Sequence, residues 1–278
     1  MFKKLIVLSF MLLADIANAA DLQVLFVGLP QAGPPITLLQ SYAKNIKIPN
    51  TLPSVKDCAS SLRTIEQSDD VVYMIANTTT ITSIRHGVDC LPKFRAEDVV
   101  FMADNYMNYC RKPGNTKDIY RSRLTIGAAS VAPIDGMAND LNKQNGMTLV
   151  PVSMQSSVNV ANSVINGDID WGLIVTSISD PMVANKQLEC PYTTDPHSTN
   201  FIAKHFQLLS PDLTISWIMV VKTKNPVIRA ELIRAAQTKE FNDFLEFGKF
   251  TNIKTNNITD KDIERFHKRV QDVVTNFK

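Results

Sequence analysis

Apolar runs alternate with helical patterns along most of the chain. Short runs rich in Val, Ile, Leu and aromatic residues predict strands over 22–28, 71–76, 99–102, 124–128, 148–152, 171–175 and 217–221. Apolar positions spaced three and four residues apart predict helices over 36–44, 135–145, 158–165, 226–238, 241–248 and 260–277. Because strands and helices alternate, the pattern predicts an α/β fold with parallel strands.

Polar segments, which we expect to be loops, follow most of the predicted strands. These segments cover 29–35, 77–80, 129–133, 153–157 and 176–180, and together they are rich in Ser, Thr, Asn and Gln with few charges. In parallel α/β sheets, ligands bind beyond the carboxyl ends of the strands, so the segments are candidates for ligand binding. Polar segments are also typical of any protein surface, so their composition alone leaves both interpretations open.

The closing helix has a clear start and a single apolar face. Thr259 is a candidate cap, with Asp262 in the position of an acidic capping-box residue. We expect the apolar face to pack on a core rather than to carry chemistry; it consists of Ile263, Phe266, Val270, Val273, Val274 and Phe277.

The first twenty residues have the pattern of a secretory signal peptide. Lys3 and Lys4 precede an apolar run over 5–14, and the small-residue series 17–20 provides a cleavage site after Ala19 or one residue later. The apolar run is too short to span a bilayer, so we expect export to the periplasm with cleavage near Ala19. Removing 1–19 also removes Asp15, which lowers the formal net charge from +2 to about +1. A nearly neutral protein has no electrostatic basis for binding nucleic acid.

Four cysteines remain after the leader: Cys58, Cys90, Cys110 and Cys190. In an oxidising compartment an even number predicts two disulfides, and their wide spacing is unlike that of a metal site. Three connectivities are possible. The pairing that we favour joins Cys58 to Cys90 and Cys110 to Cys190.

Catalytic motifs do not support an enzyme. The chain lacks G-x-S-x-G, H-E-x-x-H, P-loop and dinucleotide-binding patterns, and His86, His197, His205 and His267 are dispersed. Asp168 and Asp170 form a possible acid/base pair, but their alternation with Ile169 and Trp171 favours a structural role at a strand entry. We therefore expect a protein without catalytic activity, metal or cofactor.

The order of the segments resembles the substrate-binding receptors of tripartite tricarboxylate transporters, the Bug family. Four matches carry the resemblance over almost the whole chain: the loop 30–35 (PQAGPP) after the first strand, the strand and polar segment 72–78 (VYMIANT), the pair 149–152 (LVPV) and 165–170 (INGDID), and the strand 217–221 followed by Asn225 and Pro226. Pro34 stands where the family loop has its second Gly, and Pro35 follows it. Neither proline has a backbone N–H, so neither can donate an amide hydrogen bond.

The resemblance implies a hinge-joined, two-domain fold of the periplasmic binding protein type II class. The implied division is a signal peptide 1–19, a first domain 20–115 with 216–278, and a second domain 116–215. The chain would cross between the domains near 109–123 and return near 210–216. Family members bind carboxylate-bearing solutes, and on this pattern the implied ligand-binding residues are Gln31, Ala32, Gly33, Asn77, Thr78, Ser130, Val131, Ser153 and Thr176.

The function implied by the resemblance is capture of a small organic anion for a membrane transporter. The expected partners are that anion and membrane subunits, with the protein itself a monomer. Two alternatives stay open on the sequence. One is a sensory protein of the same fold that signals ligand presence to a membrane partner, and the other is a secreted α/β enzyme.

Overall fold

A computed structural model describes residues 21–27, 34–85, 87, 91–117, 123–129, 131–209, 214–255 and 257–276. The predicted signal peptide and its cleavage site lie outside these residues. In the described part of the chain, no helix is both long and apolar enough to cross a membrane.

The first of two sheets has six strands in the order β2-β1-β3-β10-β4-β11. β1 is parallel to β2 and β3, whereas β10 is antiparallel to its neighbours β3 and β4. The strands are β1 (Gln23–Val27), β2 (Ser54–Lys56), β3 (Val71–Ala76), β4 (Val99–Asn105), β10 (Ile215–Lys222) and β11 (Thr251–Lys254).

The second sheet has five strands in the order β7-β6-β8-β5-β9. β6 is parallel to β7 and β8, and β5 is antiparallel to β8 and β9. The strands are β5 (Met107–Arg111), β6 (Arg123–Ala128), β7 (Thr148–Ser153), β8 (Trp171–Val175) and β9 (Glu189–Thr193). Both sheets thus share one arrangement. Three parallel strands are ordered β2-β1-β3 in the first sheet and β7-β6-β8 in the second, and an antiparallel strand, β10 or β5, lies next to the last of them.

Helices cover the faces of both sheets. They are α1 (Pro34–Lys44), α2 (Cys58–Gln67), α3 (Asn77–Arg85), α4 (Val131–Asn145), α5 (Ser157–Asn166), α6 (Thr176–Ala184), α7 (Pro226–Ala236), α8 (Lys239–Phe247) and α9 (Asp260–Asn276). Every residue of β3 and β8 is buried. A strand covered on both faces needs an apolar side chain in both directions, which explains why these strands are continuous apolar runs in the sequence.

Two facing glycines let α5 approach the second sheet closely. Gly127 of β6 pairs with Gly172 of β8. A methyl group on Gly172 would lie 2.7 Å from Val160 and 2.9 Å from Val164, both on α5. Glycine at this position therefore sets the distance between helix and sheet.

The structure confirms the α/β class and most predicted elements, and it corrects the predicted loops after the strands. Residues 77–80, 131–133 and 176–180 form the first turns of α3, α4 and α6. Ser, Thr and Asn suit such turns because their oxygens accept hydrogen bonds from the free N–H groups of a helix start. The sequence pattern also missed β2, β5, β9 and β11, which are short or irregular.

The closing helix begins as its sequence predicts. The Asp262 carboxylate accepts hydrogen bonds from the Thr259 backbone N–H at 2.9 Å and from its hydroxyl at 2.8 Å. The predicted apolar face is buried from Ile263 to Val274, which confirms its packing role; Phe277 lies outside the described residues.

The chain passes between the two sheets at Tyr106. β4 ends in the first sheet at Asn105 and β5 begins in the second at Met107. The predicted crossing at 109–123 is therefore too late, because β5 was not recognised as a strand of the second sheet. Of the predicted return at 210–216, residues 210–213 lie outside the described residues.

The predicted disulfide between Cys110 and Cys190 is present, with an S–S distance of 1.99 Å. It ties β5 to the edge strand β9. Cys58 is also disulfide-bonded, whereas Cys90, its predicted partner, lies outside the described residues.

Candidate functional site

Each sheet has one topological switch point, where consecutive connections leave in opposite directions. In the first sheet this point lies between β1 and β3, and in the second it lies between β6 and β8. The helices after these strands diverge and leave a crevice beyond the carboxyl ends, which is where α/β proteins bind ligands. The strands end at Val27, Ala76, Ala128 and Val175.

The carboxyl edges of the two sheets face each other across the crossing. β4 runs parallel to β3, since both are antiparallel to β10, so Asn105 lies at the carboxyl edge of the first sheet. Only Tyr106 separates it from Met107, which pairs with Val175 at the carboxyl end of β8. The Thr176 N–H donates a hydrogen bond to the Tyr106 carbonyl oxygen at 3.1 Å, which fixes the second sheet's edge to the crossing.

Helix contacts agree with this arrangement. α3 starts directly at the carboxyl end of β3, and α4 starts just after β6. These two helices, one from each sheet, contact each other, and α9 contacts both. The carboxyl edges of the two sheets, each with its switch point, are therefore adjacent across the crossing.

Asn77 joins the first switch point to β10. Its amide nitrogen Nδ2 donates to the Thr214 carbonyl oxygen at 2.9 Å, and its Oδ1 accepts from the Ser216 N–H at 3.0 Å. The same oxygen accepts from the Thr78 N–H at 2.8 Å. The buried Asn77 side chain thus continues the β3–β10 ladder past Ala76, where the backbone of β3 turns into a helix.

Thr78 and Thr176 lie in the first turns of α3 and α6 and are half-buried, so each is close to a switch-point strand end. Ser153 is exposed at the end of β7, opposite Ala128, which places it one strand away from the second switch point. Val131 is the first residue of α4. Gln31, Ala32, Gly33 and Ser130 lie outside the described residues.

Sequence reasoning missed the contribution of β10. Because this strand is antiparallel, its amino end, with Ser216 and Trp217, lies at the carboxyl end of β3. The apolar run 217–221 predicts the strand, but nothing in the run indicates which strand it pairs with. The only local signal was a tryptophan at the start of the strand.

Asp170 has a structural role at the strand entry, as the alternating pattern indicated. Asp170 accepts hydrogen bonds from the Thr125 N–H at 2.9 Å and hydroxyl at 3.0 Å, and it pairs with Lys117. Burial opposes ionisation of Asp170, but Lys117 and Thr125 outweigh it and lower the pKa. Asp168 is exposed. Among the described residues, no group of three His, Cys, Asp or Glu is placed to hold a metal ion.

Solved structures of periplasmic binding proteins share this fold. BugD matches with a TM-score of 0.67 at 11% identity, over 93% of this chain and 97% of its own. MatC of Rhodopseudomonas palustris, solved with malate, matches with a TM-score of 0.63 at 12% identity, over 92% and 99%. A second R. palustris protein, solved with adipate, matches with a TM-score of 0.64 at 11% identity, over 91% and 97%.

No protein-family model and no curated protein sequence matches the chain. The likeness therefore lies in the arrangement of strands and helices rather than in the sequence. The matches cover nearly the whole of this chain and nearly the whole of each similar structure. The chain has the two-domain α/β fold of the periplasmic solute-binding proteins that the sequence resemblance implied.

Proposed function

We propose that the protein is a periplasmic solute-binding receptor that captures a small organic anion, specifically a carboxylate, and delivers it to a membrane transporter. One observation carries the proposal: two sheets of the same strand order turn their carboxyl edges, each with a switch point, toward one cleft. A cleft of this kind closes on a ligand by rotation about the crossing segments.

Carboxylate as the ligand class is supported by the fold relatives and by the chemistry of the cleft. Two of the similar structures were solved with malate and adipate, which are both dicarboxylates. Helix starts carry the positive end of the helix dipole, which favours a bound anion. In this chain α3 and α6 begin directly at switch-point strands and α4 begins just after one. We propose Gln31, Ala32, Gly33, Asn77, Thr78, Ser130, Val131, Ser153 and Thr176 as the ligand-binding set.

The two proposed domains consist of three sequence ranges: 20–115 with 216–278, and 116–215. One strand departs from this division: β5 (Met107–Arg111) falls in the first range but pairs with β8 and β9 of the second sheet. After the chain returns, β10 pairs antiparallel with β3 in the first sheet, as β5 pairs antiparallel with β8 in the second. Two crossings allow a hinge rotation without breaking either sheet.

A thermal-shift screen with purified mature protein tests the receptor function. The panel holds mono-, di- and tricarboxylates, each with its uncharged amide or methyl ester as a matched control. A carboxylate at about 1,000 times its Kd should stabilise the protein by about 4 kcal/mol, and its neutral analogue should not. Equal shifts from acid and amide would argue against an anion site.

Two further results would contradict the proposal. Protein first unfolded to release any co-purified ligand, then refolded, should still respond; if no acid shifts the transition, the receptor function is wrong. The ligand is then incubated with the protein and recovered. Unchanged ligand is expected, whereas conversion to product would show an enzyme.

A further inference from the structure

Trp217 lies on β10 beside the end of β3, one strand away from the first switch point. It pairs with Ala76, the last residue of β3, on one side and with Ala103 of β4 on the other. Side chains that pair across strands lie on the same face of a sheet, so the two small alanines leave room for the indole. The ring centroid is 6.2 Å from that of Phe26, one residue before the end of β1. The indole therefore reaches across the end of β3 toward the end of β1, where the crevice opens.

The indole N–H of Trp217 is a buried donor. Only 5% of the residue is exposed, and no described residue accepts a hydrogen bond from Nε1. Buried polar groups are nearly always paired, and an unpaired one commonly belongs to a functional site. Its aromatic neighbours Phe26 and Phe250 offer no acceptor of ordinary strength.

We propose that the Trp217 indole N–H donates a hydrogen bond to a carboxylate oxygen of the bound solute, an inference that rests on the proposed function. Indole is a donor without acceptor capacity, so it selects an acceptor and discriminates against an ammonium or amide N–H at that position. A carboxylate oxygen is the strongest acceptor that a small metabolite offers, since hydrogen bonds to charged groups exceed neutral ones. Phe26 and Phe250 exclude water on the same face of the sheet and strengthen the bond.

The chain offers a matched control, because Trp171 is its other tryptophan. Trp171 is equally buried, but it starts β8 at the amino edge of the second sheet, away from the cleft. It packs against Tyr192 and lies under Arg111. A Trp171→Phe variant therefore keeps the proposed donor and leaves one indole signal in the spectrum.

The first experiment is a titration of indole-¹⁵N-labelled Trp171→Phe protein with the best acid from the screen, followed by ¹H–¹⁵N correlation NMR. The remaining indole proton, that of Trp217, should move downfield as the acid binds and should not move with the neutral analogue. In the reciprocal Trp217→Phe protein, the Trp171 signal should stay in place. An unmoved Trp217 signal at saturation would overturn the assignment.

The second experiment measures affinity by calorimetry for Trp217→Phe, which keeps an aromatic ring but lacks the indole N–H; Trp171→Phe loses the same atoms at a position away from the cleft. Loss of a hydrogen bond to a charged group should weaken binding by about tenfold to a hundredfold. The Trp171→Phe variant should bind as the unmodified protein does. If the unmodified protein binds an acid and Trp217→Phe binds it equally well, only the Trp217 assignment fails. If the unmodified protein binds no acid, the proposed function itself fails.

Discussion

Replacement of Asn77 by Ala removes the side chain that joins β3 to β10 at the edge of the cleft. The Asn77 side-chain amide accepts a hydrogen bond from the N–H of Ser216, which is 139 residues away in the sequence, and it donates one to the Thr214 carbonyl oxygen. Both contacts are buried, so water cannot replace the lost partner without entering the edge of the sheet. Alanine keeps a helix-compatible residue at the start of α3, so that the loss comes from the hydrogen bonds.

The magnitude follows from the number of buried bonds. Two cross-strand bonds at about 1–1.5 kcal/mol each, together with the lost bond to the Thr78 N–H, give an expected loss of about 2–4 kcal/mol in the free energy of unfolding. For a chain of this size, each kcal/mol lowers Tm by about 2–4 °C, so Tm should fall by about 4–16 °C. The assay is differential scanning calorimetry of the ligand-free protein.

Asn142 provides the control for Asn77. Its amide also bridges backbone groups, because it accepts from the Leu149 N–H at 2.7 Å and donates to the Leu149 carbonyl oxygen at 2.9 Å. These bonds join α4 to β7 rather than to a switch-point strand. Asn142→Ala should therefore lower Tm without changing ligand affinity, whereas Asn77→Ala should weaken binding as well. A Tm within about 1 °C of the unmodified protein for Asn77→Ala would refute the proposed bridging role.

Three further changes have expected outcomes. Removing the Cys110–Cys190 bond, which closes 80 residues, with paired alanines should cost about 4.5 kcal/mol by the chain-entropy estimate, and an unchanged urea midpoint would contradict this. Burial opposes ionisation of Asp262, but Lys254 and Thr259 lower its pKa to about 2. This carboxylate therefore stabilises the fold above about pH 4, the stability is lost as pH falls toward 2, and an Asp262→Asn variant should show a flatter pH dependence in acid unfolding. Gly33→Asp should weaken carboxylate affinity in calorimetry by adding a negative charge to the predicted loop, and unchanged affinity would remove the loop from the site.

The features that sequence predicted correctly depend on local patterns. Buried parallel strands such as β3 and β8 are continuous apolar runs because helices cover both faces. The closing helix has its cap and apolar face within 17 residues, so no distant contact is needed to recognise it. The Thr, Ser and Asn residues after the strands predict loops, whereas several of these segments begin helices. The sequence does not separate the two, because helix starts and surface loops use the same residue types.

What the sequence by itself determined is the α/β class, the positions of the long strands and helices, and the polar residues that follow the strand ends. Strand order was decided only by the tertiary structure, since β5 is separated from its partner β8 by 60 residues and β10 from β3 by well over 100. Pairing across such distances depends on which faces and edges are buried together, and no local pattern records it. For that reason Asn77 could be predicted as a site residue from its place after a strand. Its bonds to β10, and the position of Trp217 beside Ala76, required the folded chain.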